Sequence, residues 1–197
     1  MSRRAGLDTE VVVTAAIAVA DEEGLKSLSL TRVATELGVR PPSLYVHVDG
    51  IGDLVRRIAG RGARELAAAM GHAVEGRSGA DALRALAIAY RGYARKHPGA
   101  YEAAQLSREL QKDPEAATAA QAATDVAFAV LRGYAIEGDE AVHAARLIRI
   151  TLHGFVALEA EQGFAIDVSV EATFERIVAA LDLVFGADSK RVGGAAA

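Results

Sequence analysis

The stretch SLSLTRVATELGVRPPSLYVHVDGIGDL, residues 27–54, decides the fold. Its first half has the pattern of a short helix, because Ser29 can cap the free amides at the start and the next apolar residues recur at helical spacing. Gly38 suits the left-handed residue that ends such a helix. Pro41 can open a second helix, because a residue in the first turn needs no amide proton. The stretch therefore predicts two short helices joined by a tight turn, over about 30–37 and 41–48.

Two helices joined in this way form a helix-turn-helix, whose second helix enters the major groove of DNA. The small side chain of Ala34, four residues before Gly38, allows the two helices to cross closely. Helix N-termini and hydroxyl groups bind phosphates, and the second helix faces the base edges. The candidate DNA-binding residues on this ground are Ser29, Thr31, Arg32, Arg40, Pro41, Pro42 and Ser43.

At these residues the chain resembles the TetR (tetracycline repressor) family of bacterial transcriptional regulators, most closely over about 7–57. The matching features are Ser29-Leu30-Thr31, Leu37-Gly38-Val39, Pro42-Ser43-Leu44-Tyr45 and His47, with Glu23-Gly24-Leu25 and Leu28 upstream. The resemblance implies that Tyr45 and His47 also contact DNA, mainly at phosphates. The alternative is that Tyr45 packs on the first helix and that His47 only faces solvent.

Three positions depart from the family pattern. Ile51 stands where a cation commonly grips phosphate, Val46 replaces a large aromatic residue, and Val48 replaces a phenylalanine. The departures imply a modest affinity for DNA, or that Arg56 and Arg57 supply the backbone contact instead.

The composition favours helix and excludes several classes of site. Hydrophobic residues make up 51% of the 197 residues, aromatics only 5%, and there are four prolines. Without cysteine the chain can form no disulfide or zinc-thiolate site, and no cofactor motif occurs. The formal charge of −4 lends no support to nucleic-acid binding. No run approaches the ~18–20 apolar residues of a membrane span, and Asp8 and Glu10 argue against reading Arg3-Arg4 as an export signal, so we expect a cytoplasmic protein.

The whole chain is predicted to be all-α, with about nine helices. An N-terminal helix-turn-helix DNA-binding domain of three helices, 1–52, is followed by a larger helical ligand-binding and dimerisation domain, 53–186, and a mobile tail, 187–197. Gly71 to Gly79 is the clearest loop. The predicted helices cover about 9–23, 30–37, 41–48, 52–70, 81–96, 98–107, 114–134, 139–162 and 169–186.

A small-molecule pocket is expected among the helices of the larger domain. Its polar residues could instead be satisfied core groups or part of a subunit interface, and its tyrosines could simply pack between helices. The candidate ligand-binding residues are Leu66, Met70, Leu86, Tyr90, Tyr93, Tyr101, Gln105, Phe128, Leu131, His143, Arg146, Leu147 and His153.

The eighth and ninth predicted helices, 139–162 and 169–186, carry more apolar surface than one partner helix covers. They predict a homodimer through a four-helix bundle, with intrachain core as the alternative. Two copies about 34–36 Å apart could read a palindromic operator.

These features predict a homodimeric transcriptional regulator of the TetR type, a repressor released by a small-molecule effector. The alternative is a helical ligand-binding or scaffolding dimer without specific DNA binding. An enzyme is disfavoured, because no catalytic base with an orienting partner and no phosphate loop occurs. The pair His153-Gly154 resembles one subgroup of the family, although Leu152 stands where that subgroup often has tryptophan.

Overall fold

The computed structural model describes residues 6–106 and 113–194, with side chains up to residue 187. These residues form α-helices and short 310 helices and contain no strand, which confirms the all-α prediction. The α-helices are α1 (Thr9–Glu23), α2 (Leu30–Leu37), α3 (Ile51–Val74), α4 (Gly79–Lys96), α5 (Pro98–Ala104), α6 (Pro114–Arg132), α7 (Gly138–Ala160) and α8 (Val170–Gly194). The two 310 helices are Leu25–Ser27 and Pro41–Val46.

Two helices continue past their predicted ends. Helix α3 runs through Gly71 to Val74, so only 75–78 remain of the predicted loop. Helix α8 runs to Gly194, where a mobile tail was predicted from residue 187. A single glycine costs a helix only about 1 kcal/mol, so Gly71, which lies against Val126, does not end α3.

The chain divides into two compact units. The first consists of the described residues of Met1–Glu65 and Lys96–Ala120, and thus contains α5 as well as the predicted N-terminal domain. Its core joins α1, α2 and the start of α3 through fully buried side chains. They include Val12, Ala16, Val33, Leu44, Leu54 and Ile58.

Asp21 near the end of α1 fixes the start of α5. One carboxylate oxygen accepts the amides of Gly99 at 2.8 Å and Ala100 at 3.1 Å. The other lies 3.1 Å from Nδ1 of His97. These bonds satisfy amides at an N-terminus that has no side-chain cap of its own, and so hold α5 against α1.

The second unit consists of the described residues of Leu66–Arg95 and Gln121–Ala197. Its α4, α7 and α8 meet at Arg91, a charged residue that is only 7% exposed. The guanidinium donates to both carboxylate oxygens of Glu159 at 2.6 and 3.0 Å, and to Glu171 at 2.7 Å. Its carbon Cζ lies 4.5 Å from the ring centre of Phe174, a cation–π contact.

Helix α7 is the one helix, among the residues that the structure describes, long and apolar enough to cross a membrane by length and composition. This is weak evidence for a span, because the core helix of a soluble protein passes the same test. Buried Ile148, Leu152 and Phe155 give α7 a core face within the second unit, and 33% of its apolar window is buried.

Candidate DNA-binding surface

Helix α2 and the turn after it form as the sequence predicts. The hydroxyl of Ser29 accepts the amide of Arg32 at 3.2 Å, and so caps the start of α2. Gly38 adopts the left-handed conformation with φ 65°, and the amide of Val39 returns to the carbonyl of Ala34 at 2.9 Å. These are the bonds of a Schellman-type cap, which reverses the chain within a few residues.

The second helix of the motif is a 310 helix over Pro41–Val46, whereas the sequence predicted an α-helix over about 41–48. The i→i+3 bonds run from Ser43 to the carbonyl of Arg40 and from His47 to the carbonyl of Leu44, both at 2.9 Å. Pro41 and the residue after it have no amide proton, so the first bond can form only at Ser43. Because the helix is 310 rather than α, a different set of side chains lines up along its axis.

In a 310 helix, residues three apart lie one above the other. Leu44 faces inward and is fully buried, so the other two rows of the helix face outward. One outward row is Pro42 and Tyr45, and the other is Ser43 and Val46, all four exposed. We call these four residues the reading surface. It contains the predicted DNA-binding residues Pro42, Ser43 and Tyr45, together with Val46, which the sequence analysis treated only as a departure from the family.

Tyr45 is 61% exposed, which disfavours the alternative that it packs on α1. Arg40 and Thr31 are exposed, and Pro41 and His47 are partly buried. The carbonyl of His47 accepts the hydroxyl of Thr9 at 3.4 Å, which ties the end of the 310 helix to α1. The structure thus leaves most of the predicted DNA-binding side chains accessible.

Arg32 is already engaged within the chain. Its guanidinium donates to Glu23 at 2.7 Å and to Glu36 at 3.0 Å. The hydrogen bonds that it donates to Glu23 and Glu36 raise the pKa of Arg32 above its ordinary value. Of the two predicted arginines, Arg40 is therefore the better candidate for contact with DNA.

The two cations proposed to replace the missing one at Ile51 share a carboxylate. Asp53 accepts Arg57 at 2.9 Å and Arg56 at 3.3 Å, and it also accepts the amide of Asp49 at 3.1 Å. Burial alone would raise the pKa of Asp53, but these hydrogen bonds and charges outweigh it and lower the pKa below the usual 3.8. Ile51 itself is 42% exposed. Asp53 thus offsets part of the charge that Arg56 and Arg57 could offer to a phosphate.

The predicted ligand-binding residues fall into three environments. The buried ones are Leu66, Met70, Leu86, Tyr90, Tyr93 and Leu131 in the second unit and Tyr101 in the first. Partly buried are Phe128 and His153 in the second unit and Gln105 in the first, whereas His143, Arg146 and Leu147 are exposed. Burial, together with the positive charge of Arg149, lowers the pKa of His153 below its usual 6.5. Pocket lining by these residues stays a prediction.

Sequence reasoning missed Arg91 and its two glutamates. The partners lie 68 and 80 residues from Arg91 along the chain, so no local spacing connects them. The one available signal was an arginine on the apolar face of an amphipathic helix, a position where a charge needs a partner.

Comparisons with known proteins bear on the whole chain. The family model "Tetracyclin repressor-like, C-terminal domain" matches residues 83–181. The uncharacterized HTH-type transcriptional regulator Rv0681 of Mycobacterium tuberculosis is 36% identical over 197 residues, all of this chain and 89% of that protein. The uncharacterized HTH-type transcriptional regulator YobS of Bacillus subtilis is 38% identical over 164 residues, 83% of this chain and 85% of that protein.

The fold also matches solved structures. One is a possible TetR family transcriptional regulator from Streptomyces coelicolor A3(2), with a TM-score of 0.69 and 18% identity, over 91% of this chain and 99% of that one. The helix-turn-helix and these relatives define the class of the protein, a helix-turn-helix transcriptional regulator. The chain belongs to the TetR family.

Proposed function

We propose that this regulator is a homodimeric repressor that binds a palindromic operator and is released by a small molecule bound in the larger helical part. The observation that carries the DNA-binding half is the reading surface, four exposed side chains held in two rows above buried Leu44. A short helix of this size reads only three or four bases, so specificity requires a second copy on the same DNA.

Helices α7 and α8 support the homodimer. Ile150 on α7 is 70% exposed and Leu183 on α8 is 73% exposed, values unusual for large apolar side chains in a finished core. A Cβ built on Gly154 meets nothing within 4 Å, which leaves room for a second helix to approach. A two-fold interface here would cover both helices with their own copies. Exposed His143, Arg146 and Leu147 then fit the interface alternative better than the pocket.

Thermodynamic linkage explains how a small-molecule effector would release the protein from its operator. A small molecule that binds better to the form unable to span the operator must weaken DNA binding by the same coupling free energy, typically about 1–3 kcal/mol. The buried tyrosines Tyr90 and Tyr93 on α4 supply aromatic surface and hydroxyl groups of the kind found in ligand pockets.

The test is selection of binding sites from random double-stranded DNA, followed by titration of the selected site at several salt concentrations. We expect enrichment of a palindrome and a steep loss of affinity with salt. The double variant Arg40→Ala/Tyr45→Ala should weaken binding by about 100-fold and reduce the salt slope by about one. Arg132→Ala, which removes an exposed arginine from α6, is the matched control and should leave affinity unchanged.

Failure to enrich any sequence above random DNA would contradict the proposal. The helical ligand-binding or scaffolding dimer would then be the better account of the chain.

A further inference from the structure

Val46 is 84% exposed, the largest value among the large hydrophobic side chains that the structure describes. It lies inside the reading surface, next to Tyr45, which is 61% exposed. Elsewhere in the motif the apolar side chains Leu44 and Val48 are buried. An exposed branched aliphatic side chain at this one position therefore serves neither the core nor the turn.

The 310 geometry places Val46 in a defined position. With three residues per turn, Val46 lies directly above Ser43, so the two side chains point the same way. In an α-helix, residues three apart are rotated by about 60° from one another, and Val46 would turn away from Ser43. Val46 is therefore presented toward whatever Ser43 contacts.

The chemistry of the major groove limits what an isopropyl group can bind there. Base edges offer hydrogen-bond donors and acceptors, and the single apolar group among them is the C5 methyl of thymine. The reading surface is poor in hydrogen-bonding groups that distinguish bases, since Pro42 and Val46 carry none and the hydroxyls of Ser43 and Tyr45 can each donate or accept. Shape complementarity and contact with the thymine methyl group must then supply much of the discrimination between base pairs.

We propose that Val46 is a specificity-determining residue that packs against the C5 methyl group of a thymine in each half of the operator. The proposal rests on the proposed function, because it needs the reading surface to enter the major groove. A single valine is far smaller than the several hundred Å² of a protein-docking patch, so a base edge is the occupant that fits. Val46 is also continuous with Ser43 and Tyr45 on the reading surface, which argues that all three contact the same stretch of DNA.

The test replaces thymine by deoxyuridine in the selected operator, one position at a time. The exchange removes the methyl group and keeps every hydrogen bond of the base pair. For the full-length protein we expect about a fourfold loss of affinity at one position per half-site, the value of one buried methyl-sized group. At that position the Val46→Ala variant should bind the thymine and deoxyuridine operators equally, because the contact is already lost.

Ile88→Ala is the matched control, since it shortens an equally apolar exposed side chain on α4. It should show the same fourfold thymine preference as the unmodified protein. A thymine preference that is the same in Val46→Ala and unmodified protein at every position would overturn this proposal alone, with the proposed function intact. Absence of any selected sequence would overturn both. Val46→Ala should fold normally, because the side chain makes few contacts within the chain.

Discussion

Two glycines in the first unit occupy positions where any side chain would meet backbone. A Cβ on Gly62 of α3 would overlap the carbonyl oxygen of Ala100 in α5, and a Cβ on Gly99 would overlap the carbonyl group of Ala20 in α1. The short helix α5 therefore lies directly against its neighbours. The hydrogen bonds that the amides of Gly99 and Ala100 donate to Asp21 hold α5 in this position.

We expect Gly62→Ala to lower the free energy of unfolding by about 1–3 kcal/mol, because the added methyl forces backbone apart. The matched variant is Gly92→Ala in the middle of α4, where a Cβ meets nothing within 4 Å. It should raise the free energy of unfolding by about 0.5–1 kcal/mol, since alanine is the better helix former. Urea denaturation of both variants checks this. Equal changes in the free energy of unfolding for the two variants would show that the close approach of α3 to α5 at Gly62 does not exclude a side chain.

The sequence alone does not show which of these two glycines tolerates a side chain. Gly62 and Gly92 both stand inside predicted helices, and their sequence contexts do not distinguish them. Only the close approach of Ala100 makes a side chain costly at Gly62 and not at Gly92. By contrast Ser29 and Gly38 could be assigned from sequence, because a cap and a left-handed turn are local requirements.

The sequence predicted where the helices of the motif begin and end better than it predicted whether they are α or 310. The turn after α2 and the start at Pro41 were correct, but the second helix is 310 rather than α. Pro41 pointed to a helix start, but prolines in the first turn suit an α-helix and a 310 helix alike, so the sequence did not decide the helix type. The end of α3 was missed, because a single glycine costs a helix only about 1 kcal/mol and α3 continues through Gly71. Fold class and the exposure of Pro42, Ser43 and Tyr45 thus follow from local pattern, whereas the alignment of Val46 with Ser43 and long-range pairs such as Arg91–Glu159 do not.

The ion pair between α4 and α7 gives a prediction about stability. Glu159→Gln should lower the free energy of unfolding by about 3 kcal/mol, since it leaves the charge of Arg91 in a buried site with one carboxylate fewer. The control is Glu175→Gln, whose partner Arg84 is also on α4 but whose pair is exposed. It should cost less than about 1 kcal/mol. Thermal denaturation at pH 7 compares the two, and similar losses would contradict the importance of burial.

The same pair has a defined pH dependence. The hydrogen bond from Arg91 outweighs burial and lowers the pKa of Glu159 below its usual 4.5 in the folded chain. A lowered pKa stabilises the fold above the unfolded value and loses that contribution as the pH falls through the folded value. The difference in stability between unmodified protein and Glu159→Gln should therefore be constant above about pH 5.5 and shrink below pH 4.5. A stability difference that grows below pH 4.5 would contradict a lowered pKa for Glu159.

The apolar faces of α7 and α8 are only partly covered within one chain. Beyond Ile150 and Leu183, the exposed large apolar side chains that the structure describes on these helices are Leu147, Leu158 and Val184. On α7, Leu147, Ile150 and Leu158 lie within about 80° of one another around the helix axis and so share one side. On α8, Leu183 and Val184 are consecutive residues and diverge by about 100°. A second copy related by two-fold symmetry can cover all of them at once, and it also duplicates the reading surface that specific recognition requires.

The double variant Ile150→Glu/Leu183→Glu therefore should yield a folded monomer, because it would place four charged carboxylates in the apolar centre of the proposed two-fold interface, where their burial is costly. Sedimentation velocity measures the mass, and circular dichroism confirms that the helices remain. Affinity for the selected palindrome should fall by about 100-fold or more, since linked half-sites gain that factor from effective concentration. Affinity for an isolated half-site should stay the same. The control Ile88→Glu places a charge at an exposed apolar position on α4 and should remain dimeric. A dimer that survives the double substitution would place the subunit interface elsewhere on the molecule.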